Sequence, residues 1–138
     1  MDIFIILQKS LDKIVPFGRS MLIRVTRDLL PLPYQYDKIL HIPVSDFTEE
    51  QVFLHPRIIE LHGEIFQKKD ALYILEEIVA FRPTQIIVHC NEGISRSPAV
   101  AYGIALNMDL ENRANEILYG DRYFPNSTIV KIFQELKI

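Results

Sequence analysis

The sequence predicts an α/β fold in which a central, mostly parallel sheet of four to five strands is flanked by helices on both faces. Short runs of β-branched residues alternate with segments of helical spacing, as expected for strands joined by helical crossovers. Residues 85–89 are largely apolar without alternation, which is typical of a strand buried on both faces. With 138 residues, 49% of them hydrophobic, residues 1–138 are predicted to form one domain.

The predicted elements follow one another along the chain. Strands are expected at residues 3–7, 21–26, 38–44 and 85–89. Two helices are predicted between the last two strands. The apolar face of the first is formed by Ile58, Leu61, Ile65 and Phe66. The apolar face of the second is formed by Leu72, Leu75, Ile78 and Val79, and Asp70 is expected to cap this helix. A buried helix is predicted at 97–106, a further one at about 110–119 ending at Gly120, and a last one that opens near Asn126 and carries Ile129, Phe133 and Leu136.

Composition narrows the class of partner and the compartment. Fifteen basic and 18 acidic residues give a net charge of -3, which offers no broad attraction for nucleic acid or anionic membranes, so neither is predicted as a partner. The apolar run at 3–7 is far too short to span a bilayer. The single cysteine, Cys90, excludes an internal disulfide and fits a reducing compartment, so a cytoplasmic location is expected. His41, His55 and His62 have no metal-site spacing, and no metal is predicted.

One nine-residue segment, residues 89–97, concentrates the candidate functional groups at a predicted strand-to-helix junction. Five residues separate Cys90 from Arg96, enough for a short loop to curl its N–H groups toward one point beside the positive end of a helix dipole. Gly93 permits a close approach to an oxyanion, and the guanidinium of Arg96 can bind two phosphate oxygens at once. We therefore predict a phosphate site formed by Asn91, Glu92, Gly93, Ile94, Ser95 and Arg96.

The same N–H groups would stabilise a thiolate, which makes Cys90 the candidate nucleophile. Attack on phosphorus would give a phosphocysteine that water later hydrolyses. Ser97 is placed to donate a hydrogen bond to the departing sulfur, and His89 is expected to brace the loop through backbone hydrogen bonds rather than to act in the chemistry.

Residues 89–97 resemble the signature loop of the protein tyrosine phosphatases, and the Ser-Arg-Ser ending is most similar to the compact dual-specificity branch. The Pro125-Asn126 pair resembles small bacterial or phage versions. The resemblance implies the phosphatase fold, a phosphorylated protein or peptide as substrate and no cofactor. Selectivity for phosphotyrosine alone or for phosphoserine and phosphothreonine as well stays open.

The resemblance also implies an aspartate that acts as general acid on a separate loop. Asp46 is the favoured candidate, because Ile42-Pro43-Val44-Ser45-Asp46 resembles the family's acid loop and follows a predicted strand. Asp70 is the alternative, closer to Cys90 in sequence but at a helix cap. Asp46 could instead start a turn or cap a helix after Thr48, and Asn126 is interpreted as a helix cap.

Two other functions fit the same loop. A catalytically idle relative would bind phosphorylated partners without turnover, although both the nucleophile and the arginine are present here. A rhodanese-type sulfurtransferase or an arsenate reductase is the other alternative, but rhodanese loops are usually shorter and arsenate reduction of the common kind needs a second cysteine. Asn91, Glu92 and Ile94 add no positive charge to the loop, which disfavours a phosphoinositide head group.

Overall fold

The computed structural model describes residues 1–137 and contains a four-stranded sheet and six α-helices within them. The strands are β1 (Asp2–Leu7), β2 (Ser20–Arg24), β3 (Lys38–His41) and β4 (Gln85–Cys90), and a 3-10 helix (Gln8–Lys13) follows β1. The helices are α1 (Glu49–Leu54), α2 (Ile58–His62), α3 (Lys68–Phe81), α4 (Arg96–Asn107), α5 (Glu111–Tyr119) and α6 (Ser127–Leu136). None of these helices combines the length and the apolar character that crossing a bilayer requires.

The sheet has the order β1-β4-β2-β3, and every strand pair is parallel. The central strand β4 is buried at each of its positions, as expected for a strand covered on both faces. The predicted α/β class and the predicted parallel sheet are confirmed. Because the strands are parallel, their carboxyl ends lie at one edge of the sheet.

The two faces of the sheet are covered unequally. On one face, Met21, Ile23, Ile86 and Val88 join the large core formed with helices α3 to α6. On the other, Leu22 and Ile87 pack with Leu11 of the 3-10 helix and with Ile14, Leu32 and Tyr36. Alternate residues of β2 and β4 therefore supply the two cores.

Helix α4 lies at the centre of the larger core. Nine of its twelve residues are buried, and it contacts α5, α6 and the strands β1 and β4. The predicted buried helix at 97–106 is thus confirmed, and α5 and α6 lie at their predicted positions.

The interval between β3 and β4 differs from the prediction. It holds three helices, α1 to α3, instead of two. The predicted helix through Phe66 stops at His62 because Gly63 takes a φ of 87°, which favours glycine and ends the helical path. Ile65 instead forms a bridge with Ser45, and Phe66 is buried in the core.

The buried face of α3 was assigned wrongly in part. Ala71, Ile74 and Ile78 are buried, whereas Leu72 is 40% and Val79 64% exposed. The helix carries apolar residues on both faces, so spacing alone did not identify the buried one. In the same region β3 ends at His41, whereas the prediction extended it to Val44. Pro43 cannot continue the strand pairing, because it has no N–H group to donate to the sheet.

Candidate active site

The parallel strands bring several chain segments to one edge of the sheet. Cys90 ends β4 and is in register with Leu7, the last residue of β1. Arg24 ends β2 and is in register with His89 on one side and with His41 on the other. The segments that leave these strands therefore surround the loop that follows Cys90.

The loop closes on the thiol of Cys90. This residue is 2% exposed, and its Sγ accepts hydrogen bonds from the N–H groups of Gly93 at 3.2 Å and Ser97 at 3.4 Å. The hydroxyl of Ser97 is buried and lies 3.1 Å from the same sulfur. Two amides and one hydroxyl thus converge on a single sulfur atom, and the chain from residue 90 to residue 97 is curled around it.

Gly93 allows this curl. Its φ is 69°, and a Cβ at this position would lie 2.7 Å from the backbone nitrogen of Leu7. Both the backbone angle and the closeness of β1 therefore require a residue without a side chain.

Several hydrogen-bond donors of the loop have no acceptor within residues 1–137. The N–H groups of Glu92, Ile94 and Ser95 make no hydrogen bond there, and the Nε atom of Arg96 is buried without a partner. Arg96 is the first residue of α4, and its Nη1 donates to the carbonyl oxygen of Val44 at 2.8 Å, which fixes the guanidinium. Unpaired amide and guanidinium donors at a helix N-terminus are what an oxyanion site presents.

The two candidate acids lie in different environments. Asp46 is exposed, and its Oδ1 accepts from the hydroxyl of Ser95 at 2.7 Å and from Nδ2 of Asn126 at 3.0 Å. Asp70 accepts from the N–H of Gln67 at 2.9 Å, within a capping box at the start of α3. The structure therefore brings Asp46, and not Asp70, into contact with the loop.

Asn126 has more contacts than the predicted helix cap. Its Oδ1 caps α6 as expected, accepting from the N–H groups of Thr128 and Ile129. Its Nδ2, however, donates to Asp46, and its backbone N–H donates to the carbonyl oxygen of Ser95 at 3.1 Å. The predicted cap is therefore confirmed, and the same buried residue also links α6 to the loop and to Asp46.

Asn91 is held by residues from two other strand ends. Its Oδ1 accepts from Nε2 of Gln8 and from the hydroxyl of Thr26, both at 3.2 Å. The side chain is therefore engaged below the loop, while the side chains of Glu92 and Ile94 are exposed.

His89 is completely buried and accepts at Nε2 a hydrogen bond of 2.9 Å from Nε of Arg24. Burial, followed by the nearby charge of Arg24, lowers the pKa of His89 from 6.5 to about 4. The ring is therefore neutral near pH 7, with its proton on Nδ1. The backbone hydrogen bonds predicted for His89 are not found, since Nε2 pairs with a side chain and Nδ1 is buried without a partner within residues 1–137.

A cavity of about 340 Å³ opens above the loop. Its walls include Asp46, Asn91 and Arg96, together with the ring pair Phe47 and His62, whose centroids are 5.1 Å apart. The sequence did not indicate these two walls, because Phe47 precedes α1 and His62 ends α2, and the two rings meet only in the folded chain. Within residues 1–137 no group of three His, Cys, Asp or Glu side chains is placed to hold a metal ion.

Solved structures of tyrosine and dual-specificity phosphatases are among those that resemble this fold. No protein-family model and no curated protein sequence matches the chain. The structure of human DUSP28 aligns with a TM-score of 0.61 at 16% identity, over 98% of this chain and 90% of that one. Tk-PTP in its active form aligns with a TM-score of 0.59 at 19% identity, over 99% and 92% of the two chains.

A viral protein is similar as well. OH1 from the Orf virus, described as a tyrosine phosphatase with triple substrate specificity, aligns with a TM-score of 0.54 at 16% identity, over 99% of this chain and 81% of that one. The chain therefore has the fold of the tyrosine and dual-specificity phosphatases, and the resemblance noted in residues 89–97 extends to the fold.

We predict that the buried, neutral His89 makes the protein less stable in acid. Below pH 6.5 the unfolded chain takes up a proton at this residue, whereas the folded chain does so only near pH 4, so stability falls across this window. Between pH 7 and pH 4.5 the contribution of His89 to the free energy of unfolding should fall by about 2 to 3 kcal/mol. Urea unfolding at both pH values measures it.

The matched controls are His89→Gln, which removes the titrating group, and His55→Gln, which removes an exposed histidine. The pH dependence of the free energy of unfolding should be weaker in His89→Gln than in wild type. In His55→Gln it should equal that of wild type. Equal pH dependence in wild type and in His89→Gln would contradict the prediction.

Proposed function

We propose that the protein is a phosphatase of the tyrosine or dual-specificity type, which hydrolyses phosphate monoesters through a phosphocysteine intermediate. One observation carries the proposal. The buried sulfur of Cys90 lies in a curled loop whose remaining donors, the N–H groups of Glu92, Ile94 and Ser95 and the Nε of Arg96, have no acceptor within residues 1–137. The fold shared with known phosphatases supports the same assignment.

In the first step the thiolate of Cys90 attacks phosphorus. The S–P bond forms as the ester P–O bond breaks, and Asp46 gives its proton to the leaving oxygen. The loop amides and Arg96 bind the three equatorial oxygens, whose charge must be stabilised in the transition state. No cofactor is needed in this step.

In the second step water attacks the phosphocysteine. Asp46, now a carboxylate, accepts a proton from the water as the new P–O bond forms and the S–P bond breaks. The hydroxyl of Ser97, 3.1 Å from the sulfur, stabilises the departing thiolate by a hydrogen bond. The net products are an alcohol or phenol and inorganic phosphate.

The contacts of Asp46 suit this proton transfer. Ser95 and Asn126 both donate to Oδ1, so the carboxyl group is oriented from one side. Its second oxygen, Oδ2, makes no hydrogen bond within residues 1–137 and is left to hold the transferred proton. Asp70, engaged at its helix cap, has no comparable placement.

The walls of the cavity favour a phosphorylated protein or peptide as substrate. Phe47 and His62 offer flat ring surfaces on which an aryl group such as that of phosphotyrosine can pack. Within the loop itself, Asn91, Glu92 and Ile94 provide no additional positive charge for a phosphoinositide head group.

The direct test compares wild type with Cys90→Ser in the hydrolysis of p-nitrophenyl phosphate and of a phosphotyrosine peptide. Removal of the nucleophile should reduce kcat by at least about a thousandfold, because water cannot replace the covalent step. The variant should still bind the phosphopeptide, since the loop donors remain.

Other outcomes identify the other functions. Turnover at the wild-type rate in Cys90→Ser would exclude the mechanism. Tight phosphopeptide binding by the wild type without any turnover would indicate a binding module, and transfer of sulfur from thiosulfate to cyanide would indicate a sulfurtransferase.

A second experiment identifies the general acid by a matched pair of substitutions. Asp46→Asn keeps the contacts to Ser95 and Asn126 but removes the proton, and should lower kcat for the phosphotyrosine peptide by about a hundredfold. Asp70→Asn should leave kcat unchanged and lower the free energy of unfolding by about 1 kcal/mol, because it weakens the cap of α3. If Asp70→Asn reduced kcat and Asp46→Asn did not, the roles would have to be exchanged.

A further inference from the structure

Arg24 is a buried cation that has no anionic partner. It is 7% exposed, yet none of the ion pairs within residues 1–137 includes it. Its guanidinium donates to three neutral acceptors, Nε2 of His89 at 2.9 Å, Oε1 of Gln8 at 2.9 Å and the carbonyl oxygen of Leu30 at 2.7 Å. A buried charge is costly unless an opposite charge accompanies it, so this arrangement requires an explanation.

The contacts of Arg24 lead to both sides of the nucleophile. His89, which accepts from its Nε, is the residue immediately before Cys90. Gln8, which accepts from its Nη2, donates in turn to the side chain of Asn91, the residue immediately after Cys90. The guanidinium of Arg24 is thus hydrogen-bonded directly to the residue before Cys90 and, through Gln8, to the residue after it.

The charged and titratable groups near the loop show whether any of them can compensate the positive charge of Arg24. Three cavities border the loop, and the charged or titratable side chains that line them are Lys9, Lys13, Arg27, Asp28, Asp46, His62, Glu92, Arg96, Arg113, Arg122 and Tyr123. His41 lies on the neighbouring strand, and Tyr36 lies near Arg24, where burial raises the pKa of its hydroxyl group and keeps it neutral. None of the acidic groups among them is within ion-pair distance of Arg24. The negative charge proposed for the thiolate, and for the phosphate bound above it, would supply the counter-charge.

We propose that Arg24 is a positioning residue of the catalytic site, whose buried positive charge stabilises the thiolate of Cys90 and the bound phosphate while its hydrogen bonds hold the loop on both sides of the sulfur. The inference rests on the proposed function, because it takes Cys90 as the nucleophile. Arg24 itself does not touch the substrate and acts through His89, Gln8 and the field of its charge.

The state of His89 agrees with this role. Burial and the charge of Arg24 keep the pKa of the ring near 4, so the imidazole accepts a hydrogen bond instead of carrying a charge. In this arrangement Arg24 keeps its positive charge, and the neutral ring connects it to the end of β4.

The experiment measures how fast iodoacetamide alkylates the only cysteine as a function of pH. Arg24→Gln and Arg24→Met remove the charge, whereas Arg24→Lys keeps it. Arg19→Met is the matched control, because Arg19 also donates to a carbonyl oxygen but lies at the opposite end of the sheet. Circular dichroism and thermal melting establish that each variant is folded.

The neutral variants should shift the midpoint of the alkylation profile upward by about one pH unit, as expected when a buried charge near a thiolate is lost. Their affinity for inorganic vanadate and their kcat/KM for p-nitrophenyl phosphate should fall at least about tenfold. The midpoint of the alkylation profile of Arg24→Lys should stay within about half a pH unit of the wild-type midpoint. The midpoint of Arg19→Met should equal that of wild type.

A folded neutral variant with the wild-type midpoint would overturn the inference, because Arg24 would then only fill space. A folded Arg24→Lys variant whose alkylation midpoint shifts by a full pH unit would also overturn the inference. This test holds even if both neutral variants fail to fold. Alkylation needs no turnover, so the two proposals fail separately. A shifted profile in a protein without phosphatase activity would refute only the function, and normal activity without a shift would refute only the role of Arg24.

Discussion

The convergence of two amide N–H groups and one hydroxyl on the sulfur of Cys90 is the constraint on which the rest of the site depends. It exists because β4 is an inner strand of a parallel sheet and only five residues, 91–95, join it to α4, so the chain must turn sharply between them. The positive φ of Gly93 and the closeness of β1 make the reversal possible. The curl that surrounds the sulfur also aims the remaining loop donors outward, where an oxyanion can meet them.

The surroundings of the loop are organised by hydrogen bonds from distant segments. Asn126 connects α6 with the segment of Asp46, and Gln8 and Thr26 hold Asn91 from the ends of β1 and β2. These contacts fix the geometry of a surface segment that would otherwise be mobile, and groups held in place in advance contribute most to transition-state stabilisation. The fold therefore serves the site mainly by bringing strand ends and one helix cap to a common edge.

The curled loop of residues 90–97, which is contiguous in sequence, could be predicted. The approach of Asp46 to that loop could be predicted as well, because residues 42–46 resemble an acid loop, whereas the contacts of Arg24 and Gln8 could not. The spacing of Cys90 and Arg96 predicted a curled anion loop because both residues belong to one strand-to-helix junction. The contacts of Arg24 and Gln8 with the loop gave no signal in the sequence, since they depend on the order of strands in the sheet. Likewise, α2 is shorter than predicted because of the conformation of Gly63. The buried face of α3 differs from the prediction because the small Ala71 packs in the core where Leu72 was expected.

A crystal structure of the wild-type protein soaked with sodium vanadate tests the central claim most directly. Vanadium should be bonded to Sγ of Cys90, its equatorial oxygens accepting hydrogen bonds from the loop amides and from the guanidinium of Arg96, with Asp46 at the axial oxygen. Vanadate bound away from the sulfur, or a loop from residue 90 to residue 96 that is extended, would contradict the account.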